Sequence, residues 1–252
     1  MHPVSISFFR MFFGFLTLVP IYFFTDNRAL EPRKKDVWHF AGVGFLFAAA
    51  ISTYHLALSH TTVANASLMS SLDVFFIIPL AYLFLKEKIH TAQIPPLIIA
   101  GVAIFLLNPF TLDGWLGSII AAGSGFIYAG FLVAVRYEER RNMAGDMMWY
   151  LFFAAVFLSP SLFLLTPGGI TDVLPLLLVL GVFCTGVSYY LIDNALENTE
   201  TEMVGLALFI STPIVSITTA YFFLHEAITL PVAAGAVLLI ASGILVKMAS
   251  KS

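Results

Sequence analysis

One acidic residue stands in the middle of a long apolar run: Asp73, between Thr62 and Leu85. Read as a helix rising about 1.5 Å per residue, the run puts this carboxyl about 16 Å along the axis, close to the centre of a bilayer. An ionisable group at that depth is costly and points to function. Its chemistry would be to take up a proton in one conformational state and release it in another, or to neutralise a cationic group on a substrate. Helical spacing places Ser70, Ala66 and Ile77 on the same face and Asn65 near it, which traces a polar path outward. The plainer alternative is a structural aspartate bonded to a neighbouring hydroxyl.

Other polar residues lie within apolar runs, and each has a plain reading beside its functional one. His55, near the end of the preceding run, is a candidate relay or gate because its ring titrates near neutrality, but a histidine there is also readily solvated or hydrogen-bonded. Tyr128, Tyr189 and Tyr190 would wall a cavity or belong to an interfacial belt. Asp193 lies nearer a helix end and can snorkel to water. Ser211 and Thr212 head a cluster that continues through Ser216, Thr218 and Thr219, where hydroxyls commonly bond between helices or back to the backbone. Arg10 is expected to bind backbone carbonyls.

Catalysis has less support. An intramembrane enzyme needs a convergent nucleophile and base or a metal cluster. The six histidines include no ligand-spaced pair deep in an apolar run, and no serine or aspartate partner is evident for His55 or His225. Gly123, Ser124 and Gly125 lack the preceding strand that a nucleophile elbow requires. Cys184 is the single cysteine, so neither a disulfide nor a cysteine-based metal site arises, and it is expected to pack as a small apolar residue. No catalytic residue, metal or cofactor is assigned. No P-loop occurs, which disfavours ATP as the energy source. The scattered basic residues make no nucleic-acid-sized patch.

The elements that must position these residues follow from composition. With 60% apolar and 11% charged residues and a mean hydropathy of +0.94, the chain has too few polar side chains to cover a soluble globule. The expected fold is all-α and polytopic, with nine transmembrane helices near residues 4–24, 37–58, 62–85, 92–107, 114–135, 147–165, 173–196, 203–224 and 231–249. The first run reads as a span and not a signal peptide, because Arg10 lies inside it and no small-residue cleavage site follows Phe24. If the chain starts outside, Arg28, Arg33, Lys34, Lys35, Lys86, Lys88, Arg136, Arg140, Arg141, Lys247 and Lys251 all fall on one side. The positive-inside rule makes that side cytoplasmic, with the C-terminus on it. Gly117, Ala121, Gly125 and Ala129 recur every four residues and form a face for close helix packing. Gly235, Ala236, Ser242 and Gly243 offer a second such face, for a neighbouring helix or for the partner in a homodimer.

The segment from Thr62 to Ile89 has an echo from Thr201 to Ile228. Ala81, Tyr82, Phe84, Leu85, Glu87 and Ile89 correspond at one offset to Ala220, Tyr221, Phe223, Leu224, Glu226 and Ile228. These are the third and eighth expected spans, an odd number of crossings apart, so the halves would be inverted. Inverted repeats with Pro-interrupted helices, here at Pro79 and Pro213, are a recurrent plan of secondary transporters.

Ala57, Leu58, Thr62, Ala64 and Ser67, then Leu85, Lys86, Glu87 and Lys88, then Gly101, form a pattern that resembles the EamA-type permeases of the drug/metabolite transporter superfamily. Pro213, Leu224, Glu226, Gly235 and Gly243 fit it in the second half, and Pro3 with Arg10 is similar to the opening of that family's second helix. The resemblance implies ten helices in two groups of five, membrane lipid as surroundings and a small-molecule substrate. This chain then lacks the first helix. Residues 1–109 form an incomplete repeat of four helices and residues 110–252 a repeat of five, and Val74 stands where the family has proline. The implied function is a secondary carrier of a small metabolite or drug, working outward in the cell membrane by alternating access; the depth of Asp73, and not the resemblance, makes it the expected group for proton coupling or for neutralising a cationic substrate. The alternatives are an intramembrane enzyme or a truncated fragment that does not transport.

Overall fold

A computed structural model describes residues 1–25, 37–86, 95, 98–99, 102, 114–137, 143–165, 170–192, 214–215, 217–225 and 227–250. Every regular element among them is helical. In chain order they are α1 (Pro3–Thr25), α2 (Val37–Ala57), α3 (Val63–Ser70), α4 (Asp73–Leu85), α5 (Trp115–Tyr137), α6 (Met143–Leu158), a 3-10 turn (Ser159–Leu164), α7 (Leu174–Leu178), a π-helix (Val179–Val187) and α8 (Leu230–Ser250). Six stretches are long and apolar enough to cross a membrane: Pro3–Phe24, Val37–Ala57, Val63–Leu85, Trp115–Val135, Gly145–Leu164 and Leu174–Ile192. The expected spans at 92–107 and 203–224 fall largely outside the described residues, so nine remains an expectation. Large apolar side chains lie open on helix surfaces, Trp38 at 86% and Phe163 at 93%, as hydrocarbon permits and water does not.

By contact the chain divides into two units, Met1–His55 with Ala134–Thr199 and Leu56–Val133 with Glu200–Ser252. In the first unit α1 packs against α6, α7, the 3-10 turn and the π-helix. Its start suits a helix, because Pro3 occupies the first position, where a backbone donor is not needed. Phe8, Met11, Leu18 and Tyr22 are buried along it. Glycines allow the close approach to the π-helix: a Cβ on Gly14 would lie 2.9 Å from Thr185 Cγ2, one on Gly186 would lie 2.8 Å from Thr17 Cγ2, and one on Gly181 would collide with Phe13. Side chains sustain the wide turns of the π-helix, since the Thr185 and Ser188 hydroxyls donate to carbonyls five residues back, on Leu180 and Phe183. Cys184 is exposed on this helix, a correction to the packed position expected for it. Its neighbour Thr185 is the residue that faces α1.

In the second unit the tight turn after α2 closes through bonds from the amides of Ser59 to Leu56 O and of His60 and Thr61 to Ala57 O. The Thr62 hydroxyl then caps α3 by accepting from the Asn65 amide. The stretch Val63–Leu85 is not the single helix expected. At Ser71 and Leu72, both still in right-handed helical conformation, the ladder tightens into a turn with the Leu72 amide bonded to Met69 O, and regular α-helix resumes at Asp73. The hydroxyls of Ser70 and Ser71 both donate to Ser67 O, at 3.0 and 2.8 Å, which offers that carbonyl partners other than the helix ladder. The small-residue face of α5 packs as expected. Ala121 and Ala129 are fully buried, Gly117 lies against His60 and Thr61, and Gly125 lies against the Ser70 carbonyl and the Asp73 amide. Leu80, Ala81, Ala129 and Val133 form the core where α4 meets α5. Gly235 and Ala236 are buried on α8, which packs against α3.

Candidate functional site

The turn places Asp73 as the first residue of α4, partly buried, with Gly125 of α5 beside its backbone. Ser70 lies three residues before Asp73, and its hydroxyl donates to Ser67 O.

Asn65 sits at the start of α3. Its side-chain amide donates to Thr61 Oγ1 at 2.9 Å and to Ser118 Oγ of α5 at 2.5 Å, and Ser118 in turn donates to Gly114 O. Among the described residues the buried Asn65 Oδ1 atom has no hydrogen-bond partner. Tyr128 of α5 stacks on Phe131, with ring centroids 5.4 Å apart.

The first unit holds the other charged position. His55 is buried, and its Nδ1 lies 2.7 Å from Ser7 Oγ on α1, so the serine partner that the sequence did not reveal exists 48 residues away. The Arg10 guanidinium acts electrostatically on the same ring. Among the described residues Arg10 meets a hydroxyl and not the backbone carbonyl expected: its Nε donates to Thr185 Oγ1 at 3.0 Å. Tyr189 meets Phe47 edge to face at 5.8 Å, and Tyr190 meets Tyr22 at 6.3 Å. Asp193, Ser211 and Thr212 lie outside the described residues, as do Glu87 and Glu226. Among the described residues no group of three or more His, Cys, Asp or Glu side chains could hold a metal ion.

Membrane-length helices with an acidic residue at an irregular turn inside one of them recur in secondary transporters. A profile of the EamA-like transporter family matches residues 1–108 and 115–248, and the chain belongs to that family. Its relatives are transporters by name. The pseudopaline exporter CntI of Pseudomonas aeruginosa is 26% identical over 153 residues, 60% of this chain and 53% of the exporter. The match therefore spans about half the length of that relative. The S-adenosylmethionine uptake transporter of Rickettsia felis is 26% identical over 198 residues, 76% of this chain and 65% of its own. A solved structure superposes with a TM-score of 0.72 over 100% of this chain and 90% of its own at 16% identity, which establishes likeness of fold alone. The chain is thus a member of a transporter family with at least six membrane-length helical stretches among its described residues.

Proposed function

We propose that this transporter is a secondary carrier of a small polar or amphipathic metabolite or drug, working by alternating access in the cell membrane with its C-terminus in the cytoplasm. Asp73 either couples transport to protons or neutralises a cationic group on the substrate. The single observation that carries this reading is the restart of the helix at Asp73, deep in a membrane-length apolar stretch. Interrupted helices supply ion and substrate contacts near the midplane of many secondary transporters. Asn65 and Ser70 are assigned to the same pathway. His55, Tyr128, Tyr189, Asp193, Ser211 and Thr212 complete the proposed set. The sequence repeats are taken as residues 1–109 and 110–252, in inverted orientation, and the assembly as a homodimer.

Outward transport agrees with the pseudopaline exporter, and inward transport with the S-adenosylmethionine uptake transporter; export is the direction proposed. The test is a metabolite screen in inside-out and right-side-out vesicles, each with and without a proton gradient. Proton-dependent accumulation in inside-out vesicles is the expected result. Accumulation in right-side-out vesicles alone would reverse the direction, and accumulation indifferent to the gradient would remove proton coupling.

A further inference from the structure

Arg10 is the eighth residue of α1, about 10 Å along the helix axis from Pro3 at about 1.5 Å per residue. Its guanidinium remains charged in any protein environment, and a permanent charge at such a position calls for a partner. The contact it has is neutral: Nε donates to Thr185 Oγ1. Thr185 is fully buried, and its own proton goes to Leu180 O within the π-helix. Its oxygen is therefore presented to Arg10 as an acceptor. Among the described residues no carboxylate forms an ion pair with Arg10.

This arrangement does more than satisfy one N–H. Anchoring Nε fixes the plane of the guanidinium and leaves the outer edge, formed by Nη1 and Nη2, as a pair of parallel donors. That edge matches two oxygens of a carboxylate or phosphate. The element that holds the anchor is a π-helix, a geometry found disproportionately at functional sites, and it is kept close to α1 by Gly14, Gly181 and Gly186. From these contacts we infer that Arg10, positioned by Thr185, is the recognition group of an oxyanion site within the first unit, taking a carboxylate or phosphate through the Nη edge. Two sources carry that chemistry, an anionic solute and the phosphate of a lipid headgroup.

The inference is independent of Asp73, because binding can be read without a gradient and without transport. Thermal midpoints of the purified protein would be compared in lipid-free detergent with sodium phosphate, sodium succinate or sodium chloride at matched ionic strength. A parallel series uses nanodiscs of phosphatidylcholine with or without phosphatidylglycerol. Wild type should be stabilised by phosphate or succinate beyond chloride, or by phosphatidylglycerol. Stabilisation by the soluble anions identifies a solute as the source, and stabilisation by phosphatidylglycerol alone identifies lipid. Arg10→Gln should abolish the effect. Arg10→Lys keeps the charge but loses the paired donors and should weaken the apparent affinity about tenfold, the loss expected for one charge-assisted hydrogen bond. Thr185→Val, which frees the fork, should weaken it in the same direction. Stabilisation that is absent in wild type, or equal in wild type and Arg10→Gln, overturns the assignment. Should Arg10→Gln fail to fold, Arg10→Lys decides, and wild-type affinity in that variant overturns it.

Discussion

Lys86 and His225 adopt the same left-handed backbone, with φ of 56° and 54°, and are the two non-glycine residues with positive φ among those described. Each follows the leucine that is the last helical residue in its copy of the echoed segment, Leu85 in one and Leu224 in the other. At Lys86 the amide donates to Ala81 O, the kind of bond that closes a helix at a left-handed residue. Matching backbone at matching sequence positions is what two copies of one helix end would produce.

Left-handed conformation costs a residue with a Cβ about 1–2 kcal/mol. Lys86→Gly and His225→Gly are accordingly expected to leave stability unchanged or raise it by up to about 1 kcal/mol, after the loss of unfolded-chain restraint. Lys86→Val should lower it. Thermal unfolding in detergent provides the measurement. Destabilisation by both glycines would show that their side chains matter more than their backbone.

Gly125 and Gly123 lie two residues apart on α5 and should respond differently to alanine. A Cβ at Gly125 meets the Ser70 carbonyl, whereas nothing lies within 4 Å of one at Gly123. Overpacking of this kind typically costs about 1–3 kcal/mol. Gly125→Ala should lower the unfolding midpoint and impair transport by displacing the start of α4, while Gly123→Ala should do neither. Equal behaviour of the two would contradict the close approach at Asp73.

The bond between Ser7 and His55 is buried at both ends. A double-mutant cycle with Ser7→Ala and His55→Ala should give a coupling energy of about 1 kcal/mol, as expected for a buried hydrogen bond measured against unpaired partners. Strictly additive effects would mean that the two side chains act separately.

The extents of the long helices were legible in the sequence because continuous apolar runs match the thickness of a membrane, and the packing face of α5 because small residues recur every four positions. The turn before Asp73 was not. Neither glycine nor proline marks it, and Pro79 drew attention further along the helix. Its visible signals are local, the adjacent hydroxyls of Ser70 and Ser71, and become decisive with Gly125 about fifty residues later. The partner of His55 could not be read because Ser7 lies on another helix, and the bond depends on how α1 and α2 come together. The π-helix was hidden for a similar reason. Thr185 and Ser188 look like ordinary helical hydroxyls until their bonds to carbonyls five residues back are seen.

The central claim is that Asp73 carries the coupling step, and the most direct measurement is the pH dependence of transport by Asp73→Asn in proteoliposomes, using a substrate found by the vesicle screen. Asparagine preserves shape and hydrogen bonding at the start of α4 and removes titration. The account predicts that the variant inserts and folds as wild type does, loses accumulation driven by a proton gradient, and retains substrate exchange if protons are the coupled species. Wild-type accumulation with wild-type pH dependence in the variant would contradict it.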